Sequence, residues 1–127
     1  QHAIGAIATQ HTDGTKATMQ AITQLLNYCA THPDAIIRYH ASDMCHHVDS
    51  DASYLSVSKA RSRIAGYHYL SSPMAATTKP NAPQSAPPPN GAILTPCQIL
   101  KEVVSSAAEA ELAGLFHNGK EANLNNL

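Results

Sequence analysis

The sequence predicts a mixed α/β (α+β) chain in which a helical segment comes first, a small antiparallel sheet follows and one helix closes the order. Three observations carry this expectation. Apolar side chains recur at three-and-four spacing between Thr15 and Thr31, alternation at the strand period runs through Met44 to Leu55 with an aromatic strand-like run following at residues 64–70, and Ser106 stands three residues before Glu109 at the head of a periodic apolar stretch. With 127 residues the chain has the length of one ordinary domain, so the sheet has to be short.

The first element is open in type: His2 to Gln10 is a short apolar piece, ended by HTDGT (11–15), a polar break holding the turn pair Asp13-Gly14. A helix is expected from Thr15 to Thr31, capped by Thr15, with Met19, Ile22, Leu25, Leu26 and Cys29 as its buried stripe. Pro33 stops it. The β-branched AIIRYH (35–40) reads as a strand that turns through Ala41, Ser42 and Asp43 into a hairpin with the next strand. These features place a boundary near residue 34, with a helical segment over 1–34 and the sheet domain over 35–127.

In MCHHVDSDASYL (44–55) a period of two puts His47, Asp49 and Asp51 on one face and His46, Val48 and Ser50 on the other. Carboxylates grouped at a strand end suit a hard cation such as Mg2+, which prefers oxygen ligands; the competing reading is an Asp/Ser-rich turn that bonds its own backbone. SVSKARSR (56–63) reads as a polar loop in which Lys59, Arg61 and Arg63 form a small basic cluster able to touch phosphates, or a solvated charge run. IAGYHYL (64–70) is strand-like. Ser71 to Gly91 holds six of the eight prolines and reads as an insertion outside the core. AILTPCQILKEVV (92–104) returns to strand character broken at Pro96, and a helix is expected over 105–116, with Ser106 and Glu109 as its capping box and Ala108, Leu112, Leu115 and Phe116 as its buried stripe. Glu111 borders that stripe.

A net charge of -1 supplies no basic field of the kind that marks a dedicated DNA-binding domain. Three widely spaced cysteines (Cys29, Cys45, Cys97) disfavour a disulfide framework and a structural zinc site. With no signal-like N-terminus and no apolar run long enough to span a bilayer, the expected setting is intracellular, cytoplasmic or nuclear, without membrane contact. The chain opens on Gln1, which suggests a start inside a longer reading frame. A cation site from Cys45, His46, His47 and Asp49 is a weak alternative, because adjacent strand residues face opposite ways.

Two motifs carry a resemblance. YHASDMCHHVDSDASYLSVSKARSRIAGYHYL, followed by NGAILTPCQILKEVVSSAAEAELAGLFHNGKEA, resembles the ribonuclease H region of LTR-retrotransposon polyproteins of the Ty1/copia type. SDAS is similar to the family's first catalytic Asp motif, which falls on Asp51. SSAAEAEL is similar to its S-S-x-E-A-E signature, whose second Glu falls on Glu111. KATMQAITQLLNYCATHPDAIIRYH resembles the connection that follows the reverse transcriptase, so the likeness covers roughly residues 3–122.

The resemblance implies a truncated RNase H-like fold, an antiparallel three-strand part of the sheet plus one helix, with two-metal hydrolysis of the RNA strand of an RNA–DNA hybrid in the parent polyprotein. Mg2+ or Mn2+ ions about 4 Å apart would be bridged by Asp51 and one of them bound by Glu111. Lys59, Arg61 and Arg63 would face the nucleic acid. The family's further acidic residues follow the helix, whereas this sequence runs out in ANLNNL, so the expectation is an incomplete catalytic set, a chain inactive by itself or a non-catalytic nucleic-acid or protein-binding remnant, and association through an exposed sheet edge.

Overall fold

A computed structural model describes residues 2–57, 59–73 and 86–124, and the chain divides into two compact units, Gln1–Ile36 and Ile37–Leu127. Among the described residues it is a mixed α/β chain with three helices and one open antiparallel sheet, in the order α1 (His2–Ala8), α2 (Lys16–Thr31), β1 (Cys45–Val57), β2 (Arg61–Ser71), β3 (Ala92–Leu94), β4 (Cys97–Ile99) and α3 (Ala107–Leu124).

In the first unit the short apolar piece is helical. Thr15 caps α2 as its sequence predicts: its Oγ1 accepts from the Thr18 amide at 3.2 Å, and Thr18 Oγ1 accepts from the Thr15 amide at 3.1 Å. Thr18 is buried because it also donates to Gln10 Oε1 at 2.8 Å, which ties the start of α2 to the turn after α1. The expected stripe is only half covered: Ile22 and Leu25 are half-buried, while Met19 and Leu26 are each 62% exposed.

The second unit opens without the strand expected over 35–40, and the hairpin expected with it is absent. Ile37 and Tyr39 are exposed, and a side-chain amide takes the place of a partner strand. Asn90 Oδ1 accepts from the His40 amide at 2.8 Å, while its Nδ2 donates to His40 O at 2.9 Å and to Leu70 O at 2.7 Å. Propensity toward a strand is realised only where ladder partners exist.

β1 pairs with β2 instead, in a regular register from Cys45↔Ser71 to Ser53↔Arg63 that slips before Val57↔Arg61. Leu55 sits in the slip with φ 51°, and Lys59 and Ala60 at the tip have φ 64° and 49°. Two successive left-handed residues make the primed turn that matches strand twist, so the polar run 56–63 is mostly strand and not a loop. β3 and β4 both lie on the other side of β2, separated by Thr95 and Pro96, and Gly66 N donates to Pro96 O at 2.9 Å across the gap. Among the described residues β2 is therefore central and β1 an edge. Residues 86–91 carry no helix or strand, in keeping with an insertion, and residues 74–85 of it lie outside the described residues.

α3 extends beyond the expected 105–116 and turns an unexpected side to the sheet. Ala110, Gly114 and Asn118, four residues apart, are buried, whereas Leu112, Leu115 and Phe116 are 66%, 60% and 68% exposed. The small row lets the helix backbone come close: a Cβ at Gly114 would lie 3.4 to 3.6 Å from Ser50 Oγ, Ile64 Cγ2 and Ala52 Cβ. Leucines in that row would hold the helix too far out for Asn118 to reach the strands.

Candidate functional site

The helix contacts decide which way each β1 side chain points. Ser50 and Ala52 lie against Gly114, and their cross-strand partners Gly66 and Ile64 lie on the same side. The ladder is regular through Ser53, so alternation turns His47, Asp49 and Asp51 to the opposite face. There His47 stacks on Tyr69 with ring centroids 5.4 Å apart and donates from Nε2 to Ser72 O at 3.0 Å. Tyr67 leans on Tyr69 at 5.5 Å and donates its hydroxyl to Asn90 O at 2.8 Å. Burial, then the charge of Asp49, then Tyr67 push the Tyr69 phenol above its ordinary pKa.

Glu111 projects from α3 on the helix side of the sheet, where it borders a shallow depression with Ser50, Leu112 and Leu115. Asp51 and Glu111 thus lie on opposite faces. The expected convergence of the two carboxylates on shared Mg2+ or Mn2+ ions does not occur in this arrangement, because it is Ser50, not Asp51, that faces the helix. Among the described residues no three His, Cys, Asp or Glu side chains gather into a cation site. The donor set does not fit a two-ion centre, which needs several carboxylates converging from different elements. The alternative set of Cys45, His46, His47 and Asp49 diverges as well, since His46 is engaged on the helix side and His47 on the other.

Glu109 is structural. Its carboxylate accepts from the Ser105 amide at 2.7 Å and the Ser105 hydroxyl at 2.9 Å, while Ser106 Oγ accepts from the Glu109 amide at 3.2 Å. The capping box predicted between Ser106 and Glu109 forms on one side only, and its return bond goes one residue earlier. Those bonds, from the Ser105 amide first, hold the Glu109 carboxyl below its ordinary pKa.

The basic cluster is divided. Lys59 and Arg61 are exposed at the hairpin tip, but Arg63 is only 8% exposed. Its Nη1 donates to Cys97 Sγ at 3.7 Å and its Nε is buried without a partner among the described residues. A guanidinium so placed packs against the sheet, and the three side chains do not form one phosphate-facing surface.

Sequence reasoning missed a polar network under α3. Asn118 Nδ2 donates to Ser50 Oγ and to Ala65 O, both at 2.9 Å, which leaves its Oδ1 to accept from His68 Nε2 at 3.3 Å. His68, fully buried, then presents Nδ1 as acceptor to His46 Nε2 at 3.2 Å. This assignment gives both nitrogens of the His68 ring a partner and explains how an edge strand carries His46 on its covered face. The signal lay in the spacing of Ala110, Gly114 and Asn118, a four-residue row of small side chains ending in a polar one.

Set beside models of protein families, curated proteins and solved structures, the chain matches none of them.

Proposed function

We propose that this chain is a segment of the RNase H-like region of a Ty1/copia-type retrotransposon polyprotein, preceded by the end of the reverse transcriptase connection, and that in this form it does not hydrolyse RNA–DNA hybrids. One observation supports the reading above others: the two motifs that carry the resemblance lie on elements packed together. SDAS is on β1, SSAAEAEL begins α3, and Ser50 borders the same depression as Glu111. The opposed faces of Asp51 and Glu111 count against the shared-ion site that the resemblance implies, because a single ion cannot be shared through a sheet, and the proposed lack of hydrolysis rests on that departure.

The test is cleavage of a labelled RNA–DNA hybrid in Mg2+ and in Mn2+ by the chain and by Asp51→Asn. Equal absence of turnover is expected. Turnover abolished by the substitution would overturn the non-hydrolytic part of the proposal. The retroelement origin is tested separately by the genomic sequence after the codon for Leu127: a continuation, in frame or shifted, encoding further acidic strand residues of the family is expected, and unrelated sequence there would count against it.

A further inference from the structure

We propose that the chain of bonds through His46, His68 and Asn118 is a proton-counting latch, which holds α3 on the sheet until mild acid places a second extra proton on the two rings. The inference stands apart from the retroelement reading and rests on groups enclosed within the sheet unit. Asn118 decides where the first hydrogen lies. Its Nδ2 hydrogens are committed to Ser50 Oγ and Ala65 O, so its Oδ1 faces His68 and His68 Nε2 has to carry a hydrogen. On the other side of that ring, His68 Nδ1 and His46 Nε2 stand 3.2 Å apart, and one hydrogen serves both. His68 is fully buried, so bulk water does not replace a lost partner.

One extra proton is accommodated in either of two ways. It sits on His46 Nδ1, which leaves the bond from His46 to His68 intact, or on His68 Nδ1, with His46 in the tautomer whose Nε2 accepts. Two extra protons set two N–H groups and two positive charges against each other at 3.2 Å, and the bond is lost. The groups around the rings do not relieve this. His68 lies between Val48 of β1 and Leu94 of β3, and its other neighbours on the covered face, Ser50, Gly66 and Leu70, carry no charge. On α3, Glu111 borders Ser50 two turns before Asn118, His117 is engaged with Glu102 at 3.2 Å, Lys120 is exposed, and Glu121 is half-buried one turn beyond Asn118. The charge of Glu121 favours the first extra proton but leaves the opposed N–H groups in place. Release is local, because the sheet-facing row of α3 is Ala110, Gly114 and Asn118, whose first two members bury little apolar surface.

The test is amide hydrogen exchange of the full chain from pH 7.5 to pH 5, corrected for the pH dependence of intrinsic exchange. Unfolded imidazoles take up protons around pH 6.5, so a released helix leaves both rings free to do so and binds one proton more than the latched state. Protection of the α3 amides should therefore fall by about tenfold per pH unit below about pH 6, while the β1 and β2 amides keep theirs. In His46→Gln the amide at that position donates to His68 Nδ1 or, turned over, accepts from it, so an extra proton on His68 is tolerated and α3 protection should stay level. Glu121→Gln and His117→Gln should keep the parent's slope. Nitrogen NMR of the parent's imidazoles supplies a second readout that needs no variant: at neutral pH His68 should carry its hydrogen on Nε2, and both rings should become doubly protonated only as α3 protection is lost. Level α3 protection in the parent, a parental slope in His46→Gln, a slope abolished by Glu121→Gln or His117→Gln, or double protonation of both rings with α3 still protected would each overturn the proposal.

Discussion

Asn118 of α3 donates to Ser50 Oγ of β1 at 2.9 Å, and this contact sets the orientation of the helix over the acidic strand. Ser50 turns toward the helix, so its neighbour Asp51 turns away. The same amide also serves Ala65 O and His68, so one side chain joins α3 to both long strands.

Asn118→Ala should therefore destabilise the sheet unit by about 1–3 kcal/mol, the cost of leaving buried partners unsatisfied. The measurement is the urea midpoint with unchanged slope. Gly66→Ala should be damaging for the same reason, since a Cβ there would collide with the Asn118 amide and approach Pro96 Cγ to 3.0 Å. The two substitutions share a contact, so the double variant should lose less than the sum of the singles. Additive losses would mean that Asn118 is not the atom group confronting Gly66.

Elements with local causes were legible in the sequence. Thr15 announces α2, alternation announces β1, the aromatic run 64–70 announces β2, and Ser106 with Glu109 announces α3, because caps, periods and propensities act within a few residues. The failures were non-local. AIIRYH has strand chemistry and no partner edge. Leu112, Leu115 and Phe116 make an apolar stripe, yet the sheet takes the Ala110, Gly114, Asn118 row, since close approach and the Asn118 bonds outweigh apolar area on that side. The expected Asp51 and Glu111 pairing depended on that choice of helix face. No periodicity in β1 alone determines which of its faces a later helix will cover.

Glu109 supplies a pH dependence of known sign. Its folded pKa lies below the ordinary 4.5, through the Ser105 amide bond first and the Ser105 hydroxyl second, so its contribution is fully present above 4.5 and is lost as pH falls through the lower folded value. The stability difference between the chain and Glu109→Gln should be constant from neutral pH down to the region of 4.5 and should shrink below it. Unfolding curves of both proteins across that range, with the Glu109 carboxyl carbon followed by NMR, check this. A difference that persists undiminished into strong acid would show that the cap does not depend on the charged carboxylate.

The hairpin tip is a place where the sequence is suboptimal. Lys59 and Ala60 both hold positive φ, a region that costs an L-residue with a Cβ on the order of 1 kcal/mol. Ala60→Gly should accordingly raise stability by up to about 1 kcal/mol, less the extra entropy glycine brings to the unfolded chain. Ala60→Val should lower it. Thermal midpoints of the two variants should lie on opposite sides of the parent's, and a lower midpoint for the glycine variant would contradict a primed turn at this tip.

The orientation of α3 can be tested without reference to function. If the small row faces the sheet, Gly114→Ala places a methyl at ordinary contact distance, 3.4 to 3.6 Å from its three nearest atoms, and removes a helix glycine, which should stabilise by up to about 1 kcal/mol. Leu115→Glu changes a side chain that is 60% exposed and should stay within about 0.5 kcal/mol of the parent. If instead the apolar stripe faced the sheet, as its spacing suggests, Leu115→Glu would bury a carboxylate and cost several kcal/mol, while Gly114→Ala would still gain its propensity. The discriminating quantity is the urea midpoint of Leu115→Glu. A near-parental value supports the Asn118-directed packing that sends Asp51 to the far face, and a collapse of the midpoint would return Leu115 to the core and reopen the question of which β1 side chains Glu111 can meet.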